Sequence, residues 1–442
     1  MSASTRIARA LGIFSGVKIL TILCSLVRNK IISVVIGPAG LGLMGLFNGI
    51  VDLVSQASRL SMDQSAQRDI SQASKASAAT VITVVRRWSF WLGMGGSILT
   101  CAISPLLSLI SFDTVHHWPT FCLLAIVPIF YTFSACTYAE NQGLRRFRAL
   151  ALSSILGHIV ALIAAIPLII LLGIKSIAII IVLYAVITGM AAWIFRPRID
   201  KVAMATSEIV QRGKNFIKIG AQITIALVVN QTVAYAFILF INGMYSTDVL
   251  GIYQAGYQVM NSYVGIIFTV LWIEYFPRLS SLAHSPKRMA LTVSHQTNLM
   301  LTVLVPLLAL LVILVQPVVR LVYSSEFLPV TPYIVLACIG VVFRTSSYCL
   351  AYVVLARGDG KTYLLTEISS SVFGFAVNIA GFFLGGFLGL GIAYIVWYAF
   401  YTILLMSVCK RRYGVTLAPR TKTLVIQAAV ILGLVSSLYL IL

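Results

Sequence analysis

The sequence predicts an all-α, polytopic membrane protein: two six-helix bundles related by a pseudo-two-fold axis along the membrane normal, plus an extra C-terminal span. Three observations carry that expectation: composition, the spacing of apolar runs, and the placement of cations. Sixty per cent of the 442 residues are hydrophobic and 10% are charged, against about 45–50% and about 25% in a soluble domain. With a mean hydropathy of +0.99, the chain has too little polar surface to face water on all sides.

A helix needs about 20 mainly apolar residues to cross the hydrocarbon core. Such stretches occur near 8–35, 41–60, 86–110, 120–140, 150–172, 174–195, 216–241, 250–275, 291–316, 332–355, 363–384, 387–408 and 423–442. The breaks between them carry turn chemistry, as at Gly37-Pro38-Ala39-Gly40, His117-Trp118-Pro119, Asn242-Gly243 and Arg357-Gly358-Asp359-Gly360. Arg6 and Arg9 precede the first run in the manner of a signal peptide. That run carries Lys18 and outlasts an apolar signal core, so it reads as a retained first span.

A net charge of +20 would suit a nucleic-acid binder or the basic loops of an inserted membrane protein. Placement decides between them. With the N-terminus inside, only Lys175 and Arg320 fall in outward loops, and Lys18, Arg28, Lys30 and Arg344 fall within spans; every other Lys and Arg of the 32 faces inward. This asymmetry excludes a nucleic-acid partner.

The basic stretch 196–215 divides the first twelve spans into a bundle over 1–195 and a second over 216–409. A basic loop and the additional span follow at 410–442. The halves echo each other: Gly40-Leu41-Gly42-Leu43 matches Val249-Leu250-Gly251-Ile252, and Ser153-Ser154-x-x-Gly157 matches Ser370-Ser371-x-x-Gly374. An even number of spans per half makes these parallel repeats. The seven cysteines have neither zinc nor C-x-x-C spacing and read as free thiols.

An ionisable group within a span costs a few kcal/mol on insertion scales and by default marks function. Lys18, Thr21, Ser25 and Arg28 share one face of span one, Lys30 points elsewhere, and Arg344 sits near the middle of span ten. Such cations suit an anionic cargo. Alternatively, Arg28 and Lys30 snorkel to the interface, and Lys18 and Arg344 sit in internal salt bridges. Asn48 and Gln56 on span two, Gln254, Gln258 and Asn261 on span eight, and Tyr348 on span ten could read sugar hydroxyls. They could equally be contacts between helices. Asp52 and Glu367 are candidates for ion coupling. Glu140, Glu274 and Glu367 lie near inner ends, where solvated residues are the ordinary reading, and His158 reads as packed or bonded to a neighbour. No P-loop, zinc motif or nucleophile elbow occurs, so no cofactor or metal is expected, and an enzyme is disfavoured.

The run Ile36-Gly37-Pro38-Ala39-Gly40-Leu41-Gly42-Leu43 after a basic first span resembles the Wzx-type polysaccharide flippases, translocases for O-antigen and enterobacterial common antigen. These belong to the multidrug/oligosaccharidyl-lipid/polysaccharide exporter superfamily. Phe276-Pro277-Arg278-Leu279-Ser280 and Ser325-Glu326-Phe327 carry the same likeness, which covers 1–412. It implies a multi-pass protein of the bacterial inner membrane with a cytoplasmic N-terminus, acting in lipopolysaccharide or related polysaccharide biosynthesis. Its cargo would be an undecaprenyl-pyrophosphate-linked oligosaccharide, moved from the cytoplasmic to the periplasmic leaflet by alternating access within membrane lipid. A glycan polymerase and a chain-length regulator are the implied partners. Lys18, Arg28, Lys30 and Arg344 occupy fitting places for the pyrophosphate, whereas stretch 423–442 departs from the twelve-span pattern. The rival readings are an ion-coupled drug or organic-cation antiporter of the same superfamily, a membrane glycosyltransferase or polymerase, and a passive scaffold.

Overall fold

The computed structural model describes residues 3–199 and 202–441, with side chains apart from 3–15, 75–76, 215–223, 226 and 269–274. Glu274, named above as an acid near an inner end, therefore lies outside the described side chains. Every described regular element is helical. Each of the thirteen apolar stretches lies on helix, and the chain divides into two compact units, Met1–Gly251 and Ile252–Leu442.

In the first unit, α1 (Ala3–Val35) ends at Gly37, whose φ of 84° only glycine adopts freely, and Pro38 opens α2 (Pro38–Arg59). The short α3 (Met62–Gln72) leads to α4 (Lys75–Ala102), capped by the Ser74 hydroxyl, which accepts from the Ser77 amide at 3.4 Å. A 57° bend joins α4 to α5 (Ser104–Phe112), so the expected span 86–110 is a broken one. Then come α6 (Trp118–Leu124), α7 (Val127–Gly143), α8 (Phe147–Leu172) and α9 (Ser176–Ile194). Helices α8 and α9 pack as a hairpin, with Gly157 against Thr188 and Ala191.

Helix α10 (Thr206–Met244) begins inside the basic stretch expected to connect the halves. Its first turns are favoured by a Glu208–Arg212 pair one turn apart, at 2.8 Å. It stays with the first unit through Ser61–Thr224 at 2.8 Å and through Asn242, whose amide donates to the Ser111 carbonyl at 2.7 Å.

Glu140 corrects the sequence expectation of a solvated acid. It is 1% exposed and takes a two-pronged bond from Arg86, at 3.1 Å from Nε and 2.8 Å from Nη2. The same guanidinium donates to the Pro197 carbonyl at 2.7 Å, tying α4, α7 and the chain after α9 together. Trp88 adds α10 by donating to the Ile209 carbonyl at 2.9 Å.

After α11 (Thr247–Gln258) comes a π-helical turn (Val259–Tyr263) and then α12 (Gly265–Ser281). The second unit continues with α13 (Pro286–Ile313), α14 (Val315–Val322), a 3₁₀ segment (Ser325–Val330), α15 (Thr331–Ala356), α16 (Gly360–Tyr413) and α17 (Pro419–Ile441). Helix α15 is the core of this unit, with α13, α16 and α17 packed around it. Helix α16 is two antiparallel legs reversing at Gly385 and Gly386, where Gly386 has a φ of 55°. The legs approach so closely that a Cβ on Gly389 would meet the Gly381 carbonyl. At the open end of this hairpin, Asp359 accepts from the Thr362 hydroxyl at 2.7 Å, the Thr362 amide at 3.0 Å and the Tyr413 hydroxyl at 2.8 Å. Arg412 stands 3.4 Å away. Helix α17, the span without a counterpart, packs on α13 and α15, and its Ser436 donates to the Val335 carbonyl at 3.3 Å.

By length and apolar composition, eight described helical stretches could cross a membrane, or nine with the bent pair. Two of the eight, Phe147–Ile194 and Gly360–Tyr413, each contain a hairpin and so hold two expected spans. Outward-facing Leu384, Leu171, Leu321 and Ile441 are exposed, as lipid contact requires.

Two predictions follow from these charges. Arg86→Met should lower stability by about 3–5 kcal/mol, because it strands a buried carboxylate. Arg86→Met with Glu140→Met should recover most of the loss in detergent-solubilised unfolding. The Thr362 hydroxyl, then its amide, then the Tyr413 hydroxyl hold the Asp359 carboxyl down at about 2. A depressed acid stabilises above its unfolded value and loses that contribution as pH falls towards 2. The stability gap between wild type and Asp359→Asn should be constant above pH 5 and shrink below pH 4.

Candidate functional site

Each unit contains a polar cluster within its spanning helices. In the first, the polar face of α1 is held by back-bonding along the helix: the Thr21 hydroxyl donates to the Lys18 carbonyl at 2.9 Å, and Ser25 to the Thr21 carbonyl at 3.3 Å. The Arg28 guanidinium lies 4.9 Å from the centroid of the Tyr184 ring on α9. Such a cation–π contact is worth about 2 kcal/mol when desolvated. Lys18 is exposed, and both it and Arg28 act electrostatically on His158 of α8. His158 is bonded as expected, its Nδ1 2.7 Å from the Ser154 carbonyl. Lys30 is half-buried.

Asp52 is exposed on α2, within electrostatic range of Arg59, and Tyr131 lies within range of Asp52, Arg28 and Arg59. Arg59 belongs to this cluster although its position at a span end marks it as an ordinary loop cation. It donates to the Ser55 carbonyl at 3.2 Å and to Gln56 Oε1 at 2.6 Å. The Gln56 carbonyl is thus already engaged, whereas Asn48 is half-buried on the same helix.

In the second unit, Arg344 of α15 donates through Nη1 to the Met260 carbonyl at 3.2 Å and towards the Tyr394 hydroxyl at 3.1 Å. Its guanidinium lies over the Phe268 ring at 5.1 Å and the Tyr398 ring at 5.7 Å. Met260 lies in the π turn, an interruption frequent at functional sites. Among the described residues no carboxylate stands within ion-pair distance of Arg344, nor of Lys18 or Arg28. The internal-salt-bridge alternative for Lys18 and Arg344 therefore has no partner there. Aromatic faces and neutral oxygens solvate the Arg344 cation but leave its charge uncancelled.

The other expected residues are spread through the second unit. Gln254 and Gln258 are half-buried on α11, and the Asn261 amide donates to the Tyr257 carbonyl at 3.2 Å. Tyr348 donates to the Phe268 carbonyl at 3.2 Å and stacks edge-on against Tyr352. Glu367, half-buried on the first leg of α16, accepts a hydrogen bond from Tyr401 on the second. Sequence reading missed Tyr394 and Tyr398. Their spacing of four residues with Tyr401 three further along was the available signal of an aromatic face.

A family model described as polysaccharide biosynthesis protein matches residues 31–332, more than half of the chain. No curated protein matches it significantly. Among solved structures, lipid II flippase MurJ in an inward closed conformation is similar over 98% of this chain and 97% of its own, with a TM-score of 0.72 and 15% identity. An inward-facing multidrug resistance MATE transporter of the MOP superfamily aligns over 96% of each chain at TM-score 0.70 and 14% identity. A MOP superfamily transporter from Pyrococcus furiosus, described as having a binding pocket of reverse polarity, covers 95% of this chain and 96% of its own at TM-score 0.66 and 13% identity. At such identities the likeness establishes a shared fold, that of a polytopic membrane protein.

Because no carboxylate among the described residues stands within ion-pair distance of Arg344, an apolar replacement of similar volume should be tolerated by the fold. Arg344→Met should shift stability by less than about 1.5 kcal/mol in thermal unfolding of the purified protein. A much larger loss would assign Arg344 a structural role.

Proposed function

Because the chain belongs to the family of polysaccharide biosynthesis proteins, we propose that it is a flippase for a lipid-linked oligosaccharide. Its cargo is an undecaprenyl-pyrophosphate-linked unit of a surface glycan such as O-antigen. Alternating access carries that unit from the cytoplasmic to the periplasmic leaflet of the bacterial inner membrane. The observation that carries the reading is Arg344, a cation within a spanning helix that is solvated by Tyr394, Met260 and two ring faces, with no carboxylate within ion-pair distance among the described residues.

A pyrophosphate leaving the headgroup region needs its charge compensated, and arginine does so with bidentate hydrogen bonds. Arg28 offers the same chemistry in the first unit, and Lys18 and Lys30 are assigned to the same task. Asn48, Gln56, Gln254, Gln258, Asn261 and Tyr348 are assigned to the sugar hydroxyls. For Gln56 and Tyr348 that means exchanging the intramolecular bonds they already make. The protein acts as a transporter and not as an enzyme. Without an ATP-binding motif in the sequence, the driving force is an ion gradient, with Asp52 and Glu367 as coupling groups, or consumption of the product outside by a glycan polymerase.

The exposed Asp52 carboxylate favours one second reading, an ion-coupled antiporter of organic cations. Complementation separates the two. Wild type should restore surface glycan in a strain lacking its flippase, while expressed and inserted Arg28→Ala and Arg344→Ala variants fall at least tenfold short. Rescue by both variants would discard this site. Dye efflux without any glycan rescue would establish the antiporter.

A further inference from the structure

We propose that the first unit binds the phosphate headgroup of an anionic phospholipid in a pocket between α4 and the chain that follows α9. The pocket has a volume of about 720 Å³ and is lined on one side by Arg86, Arg87 and Phe90, on the other by Arg196, Arg198 and Ile199. That volume falls within the range of ligand sites, about 300–1,000 Å³. Arg86 is committed to Glu140 and the Pro197 carbonyl. Among the described residues no carboxylate stands within ion-pair distance of Arg87, Arg196 or Arg198, although Arg196 acts electrostatically on Glu140. Asp200 and Lys201 lie outside those residues.

Depth identifies the occupant. Helix α9 ends at Ile194, and Trp193 and Ile194 are exposed at its last turn. The Arg196 guanidinium lies over the Trp193 ring at 5.0 Å. Tryptophan marks the level of lipid headgroups, so Arg196 and Arg198 emerge where phosphates are dense. Arg87 is exposed, and Phe90, close to one turn further along α4, turns an apolar ring outward. The pocket thus offers cations at one level and an apolar wall just below it. An anionic phospholipid fills both, whereas a free anion uses only the cations. Basic pockets between spans on the cation-rich side are suited to such headgroups. Occupied, the pocket would tether the connection leading into α10 to α4.

The test uses full-length protein purified in neutral detergent, with phosphatidylglycerol, phosphatidylcholine or inorganic pyrophosphate added, read by native mass spectrometry and thermal unfolding. Phosphatidylglycerol should bind and raise the melting temperature of wild type, and phosphatidylcholine should not. Arg87→Gln with Arg198→Gln should weaken that binding about thirtyfold, and Arg198→Gln alone about fivefold. The single variant keeps the test open if the double variant fails to fold. Unchanged phosphatidylglycerol binding in the variants would overturn the proposal. Pyrophosphate binding as tight as the lipid would overturn it in favour of a free-anion site. Because transport is not measured, failure of the flippase reading leaves this outcome untouched.

Discussion

Hydrocarbon supplies neither hydrogen bonds nor counter-ions, and this single constraint organises the molecule. It makes the backbone satisfy itself, so the described elements are helices and their reversals fall at positions such as Gly37 and Gly386. It turns hydroxyls back on their own helices, as at Thr21, Ser25, Thr188 and Thr297. It also sorts the ionisable groups by how their charge is managed. Glu140 has its own cation, Asp359 sits at a helix end among hydroxyls, and Arg344 has dipoles and ring faces but no carboxylate among the described residues.

These are three different energetic situations. The Arg86–Glu140 pair offsets part of its desolvation cost through two-pronged geometry and the third bond to Pro197, and it fastens three chain segments together. The Asp359 ring closes the hairpin of α16 near the lipid–water boundary, where both its ends converge. Arg344 links α15 to the π turn through Met260 and to α16 through Tyr394, and its place in α15, the most enclosed helix of its unit, is a costly location for a charge.

Much of the fold was legible because bilayer thickness fixes the length of an apolar run, and because turn residues and loop cations punctuate those runs. The thirteen stretches, the break at Gly37 and the boundary between 363–384 and 387–408 are of this kind. What stayed illegible depends on contacts between distant positions. Glu140 looked like a solvated end residue because its partner lies 54 residues earlier, and nothing local announces the pairing. Arg59 looked like a loop cation although its bonds to Ser55 and Gln56 lie within one turn of its own helix; the distant contact that hid its place in the cluster is its proximity to Tyr131 on α7. The cationic positions on α1 and α15 could be named from hydropathy alone. The ring faces beneath Arg28 and Arg344 could not, since Tyr184, Phe268 and Tyr398 come from other helices.

The π turn at Val259–Tyr263 has a bearing on inheritance. A wide turn accommodates one residue more than an α-helical one, and each residue in a helix is worth about 100° of rotation. Gln254 and Gln258 on one side and Phe268 and Tyr275 on the other are therefore set by two different angular phases. Removing one residue anywhere in that turn would preserve composition and hydropathy yet swing Phe268 away from the Arg344 guanidinium. In this segment the count of residues, as much as their chemistry, is what descent has to preserve.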